Sequence, residues 1–188
     1  SSAASDVYKR QGVNYAPWAV FPEDRRERRR ADWIAALKEA ARMAEDHNVV
    51  LCMEVLNRFE GYLINTVSQG LAVIGEVGSR SLKLHLDTFH LNIEADQIDA
   101  EIRTAGEQLG HFHCAANNRK PPGEGHIPWP AVRQALEDID YQGYLVAETF
   151  VSPAGEVGQG LFIWRELADD LDAAASGTAS FLRATFST

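Results

Sequence analysis

Four residues able to hold a metal ion recur along this sequence at nearly regular intervals. They are Glu54, Asp87, His113 and Glu148, spaced by 33, 26 and 35 positions. One strand–helix unit of a parallel sheet takes roughly 30 residues, so the interval matches one ligand per unit. Three carboxylates and one imidazole suit an oxygen-preferring divalent ion such as Mg²⁺, Mn²⁺ or Co²⁺. A structural zinc site would more often use thiolates, and no CxxC string is present. Helix capping or pairing with a lysine would explain any one of these residues alone. Four in succession at the same place in the repeat are harder to explain that way.

Three further residues follow the quartet closely. Glu60 comes six positions after Glu54, His90 three after Asp87, and Arg119 six after His113. Each is read as standing on a loop above a strand end, where it could hydrogen-bond a polyhydroxylated ligand or simply meet solvent. Among the remaining histidines, His111 and His85 share a face with His113 and Asp87, because strand side chains alternate. They are expected one layer lower, as satisfied polar residues. His47 and His126 read as surface residues.

The elements that would position these groups are legible from periodicity. Residues 23–47 predict a helix, with Trp33, Ile34, Leu37, Ala41 and Ala44 at three- and four-residue spacing. Arg25, Arg26, Arg28, Arg29 and Arg30 in its first turns read as a solvated face. Val49–Val55 is an apolar run of the kind found in strands buried on both faces. Asn65 is expected to cap a helix reaching Val77. Ser81–Asp87 predicts a strand, 97–108 a helix, Gly110–Cys114 a strand, and 115–128 a Pro/Gly-rich loop. A helix from Pro130 to Asp138, a strand over Tyr144–Glu148 and helical segments at 159–176 and 178–186 complete the chain. A further strand tip is expected near Gly12–Tyr15. Residues 1–11 are expected to be a non-native or disordered leader.

Strand alternating with helix indicates βαβ units and an α/β fold with a parallel sheet. No GxGxxG or GxxxxGK[ST] string follows a strand, which removes the main support for nucleotide binding. A (β/α)₈ barrel keeps its chemistry at the carboxyl ends of its strands, where the quartet falls. Such a barrel takes ~250 residues, and this chain has 188. The expectation is a partial barrel: residues 12–188 as four to five C-terminal βα units of a single domain. The composition, 45% hydrophobic and 24% charged, is that of a globular chain. Eighteen basic against 27 acidic residues argue against a nucleic-acid partner, and no apolar run is long enough to span a membrane. Two cysteines, Cys52 and Cys114, fit a reduced compartment, so a cytoplasmic location is expected.

Several segments resemble the ketose 3-epimerases, the D-tagatose and D-psicose 3-epimerases among the xylose-isomerase-like TIM barrels. They are Met53–Glu60 (MEVLNRFE), Leu86–Glu94 (LDTFHLNIE), Gly110–His113 (GHFH), Asn118-Arg119, Pro121–Gly125, Ile127–Trp129 and Trp164-Arg165. The similarity covers about residues 12–170. It implies one divalent metal, Mn²⁺ foremost with Co²⁺ or Mg²⁺ as alternatives, held by Glu54, Asp87, His113 and Glu148. It also implies a small ketose substrate contacted by Glu60, His90 and Arg119, and a homo-oligomer for the full-length protein. The expected reaction is epimerisation at C3 through an enediolate, with Glu54 and Glu148 as the two proton-handling groups. His90 and Arg119 would hold the C2 oxygen, and Glu60 would orient a water or hydroxyl. Family members usually carry Gly-Glu where this chain has Ala115-Ala116, which puts substrate preference in question. Trp18 and Phe21 are candidates for apolar walls. The alternatives are an aldose–ketose isomerase of the hydroxypyruvate-isomerase type and an inactive half-barrel that only binds metal or sugar. Metal-dependent cleavage of abasic DNA would want more ligands and a basic surface.

Overall fold

A computed structural model describes residues 8–12, 15–21 and 26–186. Five parallel strands lie side by side in chain order, each joined to the next by helix. The strands are β1 (Tyr8–Gly12), β2 (Val49–Glu54), β3 (Leu82–Asp87), β4 (Leu109–Cys114) and β5 (Leu145–Ala147). The helices are α1 (Arg26–Asp46), α2 (Val67–Val77), α3 (Thr88–Glu94), α4 (Ile98–Ala105), α5 (Trp129–Asp138), α6 (Gly155–Gly160) and α7 (Leu171–Phe186). The sheet curls into part of a barrel: the Lys9 ammonium on β1 donates to the Gly110 carbonyl on β4, 3.1 Å away.

The two faces of the sheet differ sharply. Met53, Val55, Leu82, Leu84, Leu86, Phe112 and Cys114 alternate outward into one apolar core with the helices. That core takes Trp33, Ile34 and Leu37 from α1, and Val132, Ala135 and Leu136 from α5. The inward row is polar: Cys52 and Glu54, then Lys83, His85 and Asp87, then His111 and His113. α2 begins with a capping box in which Thr66 accepts from the Gln69 N–H and Gln69 reaches back to the cap. It ends at Gly78, whose φ of +72° is the left-handed closure that glycine accommodates best.

One irregularity positions the chemistry. Leu84 pairs with Leu109, but His85 pairs with His111, so β4 advances one extra residue at Gly110. The slip brings Asp87 level with His113; without it Asp87 would face Phe112, whose side chain points outward. A Cβ at Gly110 would lie 2.6 Å from Lys83 Cβ and 2.7 Å from Cys52 Sγ, so the slip requires a residue without a side chain. Bulges beside active sites commonly re-aim a side chain in this way.

Several expectations shift. The first strand described is Tyr8–Gly12, which meets the tip expected near Gly12–Tyr15 only at Gly12, so residues 8–11 are part of the sheet. Its polar run YKRQ carries no apolar signal because Lys9 and Gln11 face the polar interior. Val13 and Asn14 fall outside the described residues, as do residues 1–7 and Arg25. Thr66, not Asn65, caps α2; Asn65 instead donates to the Leu56 and Gly61 carbonyls and holds the preceding loop. The two terminal helices expected at 159–176 and 178–186 are instead the short α6 and a single α7, with residues 161–170 irregular between them. Ser176-Gly177 reads as a break but lies inside α7, which Phe181 and Phe186 hold against Trp129 of α5.

Candidate metal and sugar site at the strand ends

Glu54 is the last residue of β2 and Asp87 the last of β3; His113 is next to last in β4. Glu148 follows β5 directly, its N–H still bonded to the Cys114 carbonyl. One ligand atom from each of the four lies within 4.8 Å of the others. The structure thus brings together the four residues that spacing singled out.

The cluster is mostly buried, which makes its charge balance matter. Asp87 is wholly buried; one of its oxygens caps α3 by accepting from the Phe89 N–H, and the other accepts from Arg119 at 2.9 Å. The same Arg119 nitrogen donates to Glu148, also at 2.9 Å. Burial pushes Asp87 up to about 6, against the pull of Arg119. Glu148 is also desolvated, yet His113, Asp87 and Arg119 beside it hold it well below the usual carboxylate range. Burial works against a charged His113, but Glu148, Asp87 and Glu54 outweigh it and raise that imidazole. His113 Nδ1 lies 3.3 Å from Glu148 and 3.9 Å from Asp87 without forming an aligned hydrogen bond. Three carboxylates converging on a buried, unpartnered ring nitrogen are a donor set fitted to a divalent cation.

The three flanking residues join the same site. Arg119 sits with its guanidinium 3.9 Å from the Phe89 ring centre and 5.2 Å from that of Phe150, and its backbone takes a φ of +64° to get there. Its second nitrogen faces His90 Nε2 at 3.3 Å and Glu60 at 3.7 Å. His90 is not on a loop, as the sequence suggests: Thr88–Glu94 forms a short helix whose cap is Asp87 itself, so Asp87 and His90 are set by one turn. Glu60 does lie on the β2–α2 loop.

Two residues fix these side chains in ways the sequence does not indicate: Asn57, and Trp18, which is expected only as an apolar wall. Asn57 accepts from the Phe59 N–H through its oxygen, which leaves its amide nitrogen to donate to Glu60 and to meet His90 Nδ1 at 2.8 Å. The Asn57 backbone N–H also points at His90 Nδ1. Two donors aimed at Nδ1 favour a lone pair there and a proton of the neutral ring on Nε2, 3.5 Å from Glu54, against the competing approach of the Arg119 nitrogen to that atom. Trp18 donates from its indole to Glu60 at 3.1 Å. Asn57 three residues before Glu60 was a visible signal; the Trp18 contact spans 42 positions and was not. A cavity of about 130 Å³ is lined by Trp18, Glu54, Glu60, His90, Arg119 and Glu148, with Leu56, Phe150 and Leu161 completing it. Phe21 is not part of it; it is exposed and packs near Tyr62. Ala115 and Ala116 are wholly buried, with Ala115 tied through both backbone groups to the Thr88 hydroxyl. His47 is exposed, and His126, also exposed, pairs with Asn92 at 2.9 Å.

A parallel, curled α/β sheet with a candidate ligand cluster at its carboxyl ends is the architecture of part of a TIM barrel, and the comparisons agree. The sequence pattern of the xylose isomerase-like TIM barrel family matches residues 9–178, and the chain belongs to that family. Among its relatives are a D-psicose 3-epimerase of Ruminiclostridium cellulolyticum, 42% identical over 89% of this chain and 58% of its own length. Another, from Enterocloster bolteae, is 40% identical over 96% of this chain and 62% of its own. A crystal structure of a D-psicose 3-epimerase in the presence of D-fructose superposes with a TM-score of 0.92 at 36% identity, over 97% of this chain and 66% of that one. The chain therefore spans about three fifths of the length of these curated relatives.

Proposed function

We propose that this chain carries the chemistry-bearing part of a metal-dependent ketose 3-epimerase. The observation that supports it best is the convergence of Glu54, Asp87, His113 and Glu148 on one point beside a small cavity lined by Glu60, His90 and Arg119. Glu54, Asp87, His113 and Glu148 would hold the ion, Mn²⁺ foremost. A divalent ion there supplies the positive charge that acidifies a proton beside a ketose carbonyl.

Everything else falls to the side chains. Glu54 and Glu148 come from strands at different positions around the curl, and both reach the cavity. One takes the C3 proton and the other returns a proton to the opposite face, which inverts that carbon. Positioned groups of this kind contribute ~10²–10⁴-fold each. His90 offers an Nε2–H to the C2 oxygen, and Arg119 supports the negative charge that develops there. Glu60, held by Asn57 and Trp18, accepts from a sugar hydroxyl. The reading extends to a homo-oligomeric, cytoplasmic full-length enzyme; among the described residues no helix is long and apolar enough to cross a membrane.

The test is exchange in deuterated water. With Mn²⁺ and D-psicose or D-fructose, NMR should show deuterium entering C3 together with the C3 epimer, and Glu148→Gln should abolish both. Movement of label between C1 and C2 with no C3 exchange would instead indicate an aldose–ketose isomerase. No exchange from a folded, Mn²⁺-binding chain would leave a binding half-barrel.

A further inference from the structure

The inward face of the sheet carries more imidazole than the four-ligand cluster uses. His85 and His111 are register partners, one layer beneath Asp87 and His113. Ring centres lie 4.0 Å apart for His85 and His113, and 4.9 Å for each of the other two pairs. One nitrogen from each of the three rings lies within 4.8 Å of the other two.

These rings are not the satisfied core polar groups that the sequence suggests. Both nitrogens of His85, Nδ1 of His111 and Nδ1 of His113 are buried without a hydrogen-bond partner. His85 has 0% of its surface exposed, so the described residues already enclose it completely. The Glu54 carboxylate lies 3.6 Å from its Nδ1, too far for a hydrogen bond. A buried polar atom left without a partner is costly, and folded proteins keep few of them. Four such nitrogens sit on three touching imidazoles, and each neutral ring has one lone pair to offer a metal. Three nitrogen donors without a carboxylate are the choice of Zn²⁺, Ni²⁺ or Cu²⁺, whereas the oxygen-rich cluster above suits Mg²⁺ or Mn²⁺.

We propose that His85, His111 and His113 form a second metal site, selective for imidazole-seeking ions such as Zn²⁺, directly beneath the carboxylate cluster. The site shares His113 with that cluster. Zinc bound below therefore draws on the upper cluster's single nitrogen donor and weakens Mn²⁺ binding there. The inference rests on the geometry of the three rings and holds whether or not the chain is an epimerase.

Calorimetric titration of the metal-free chain with Zn²⁺ alone, and separately with Mn²⁺ alone, tests it. The double variant D87N/E148Q keeps side-chain shape and the α3 cap while disabling the upper cluster; it should still bind one Zn²⁺. Adding H85L or H111Q to that background should lower Zn²⁺ affinity at least tenfold, and X-ray absorption of the zinc-loaded double variant should show nitrogen neighbours at ~2.0–2.1 Å. Retention of full Zn²⁺ affinity in both added variants, or loss of Zn²⁺ from D87N/E148Q with its circular dichroism unchanged, overturns the proposal. Should H85L fail to fold, H85M, closer in volume, and H111Q decide the outcome by the same criterion.

Discussion

The side chains at the strand ends are held by neighbours that contribute no chemistry themselves. Asn57 shows this best, because its oxygen is committed to the Phe59 N–H and its nitrogen is thereby forced toward Glu60 and His90. Asn57→Asp replaces a donor by an acceptor opposite His90 Nδ1. We expect the ring to take its proton on Nδ1 instead of Nε2, which long-range proton–nitrogen NMR of the His90 ring reads directly; an unchanged Nε2–H tautomer would contradict the assignment. The two cysteines give a second prediction. Burial pushes Cys52 up to about 11 and Cys114 higher still, and both are fully enclosed. Thiol titration of the native chain at pH 8 should find neither reactive within minutes, and two after denaturation. At this scale the sequence was informative wherever a residue's type announced its chemistry, as for Glu54, Asp87, His113 and Glu148. It marked Trp18 only as an apolar wall and assigned no role to Asn57, because the importance of both lies in a partner and not in their own reactivity.

Among the elements, β4 is the one whose internal geometry decides the most. Its one-residue slip at Gly110 levels His113 with Asp87. Gly110→Ala would force a methyl within 2.6–2.7 Å of Lys83 and Cys52. Overpacking of this kind costs ~1–3 kcal/mol, and relief by undoing the slip would rotate His113 out of the cluster. The expected outcome is a lower melting temperature together with Mn²⁺ affinity reduced at least tenfold, whereas a purely structural glycine would lose stability and keep the affinity. Sequence periodicity found β2, β3 and β4 because their outward rows are Leu, Val, Met and Phe packed on helices. It missed α3, a seven-residue helix hidden in LDTFHLNIE, since two turns are too short for an amphipathic stripe to declare itself. It also missed β1, whose inward residues are polar for the same reason that the site is. The 161–170 stretch, expected as helix, is irregular, and its Phe162 ring lies against Trp18 and Trp164.

Across the whole molecule, the loop carrying Glu60 and the helix carrying His90 are locked together by Arg58 and Glu94. The Arg58 backbone N–H, Nε and Nη2 donate to the Glu94 carboxylate at 2.7, 2.9 and 2.9 Å. Those hydrogen bonds hold Glu94 below its ordinary value of 4.5. A carboxylate depressed in the folded state stabilises it above the unfolded-state value, and the contribution fades as pH falls through the folded one. Glu94→Gln should therefore unfold at lower temperature than the parent chain at pH 7, and the gap should close progressively below about pH 4.5. A gap that stays constant with pH would mean that the pair is not what links the two segments. The division of the sheet into an apolar outward row and a polar inward row has a further consequence. Along β2 the even-numbered residues face inward, and along β3 and the upper half of β4 the odd-numbered ones do, while their immediate neighbours build the core. Fitness for folding and fitness for chemistry are thus encoded at alternate positions, so either can drift under selection while the other is held constant, and a new reaction can be explored on this scaffold without first destabilising it.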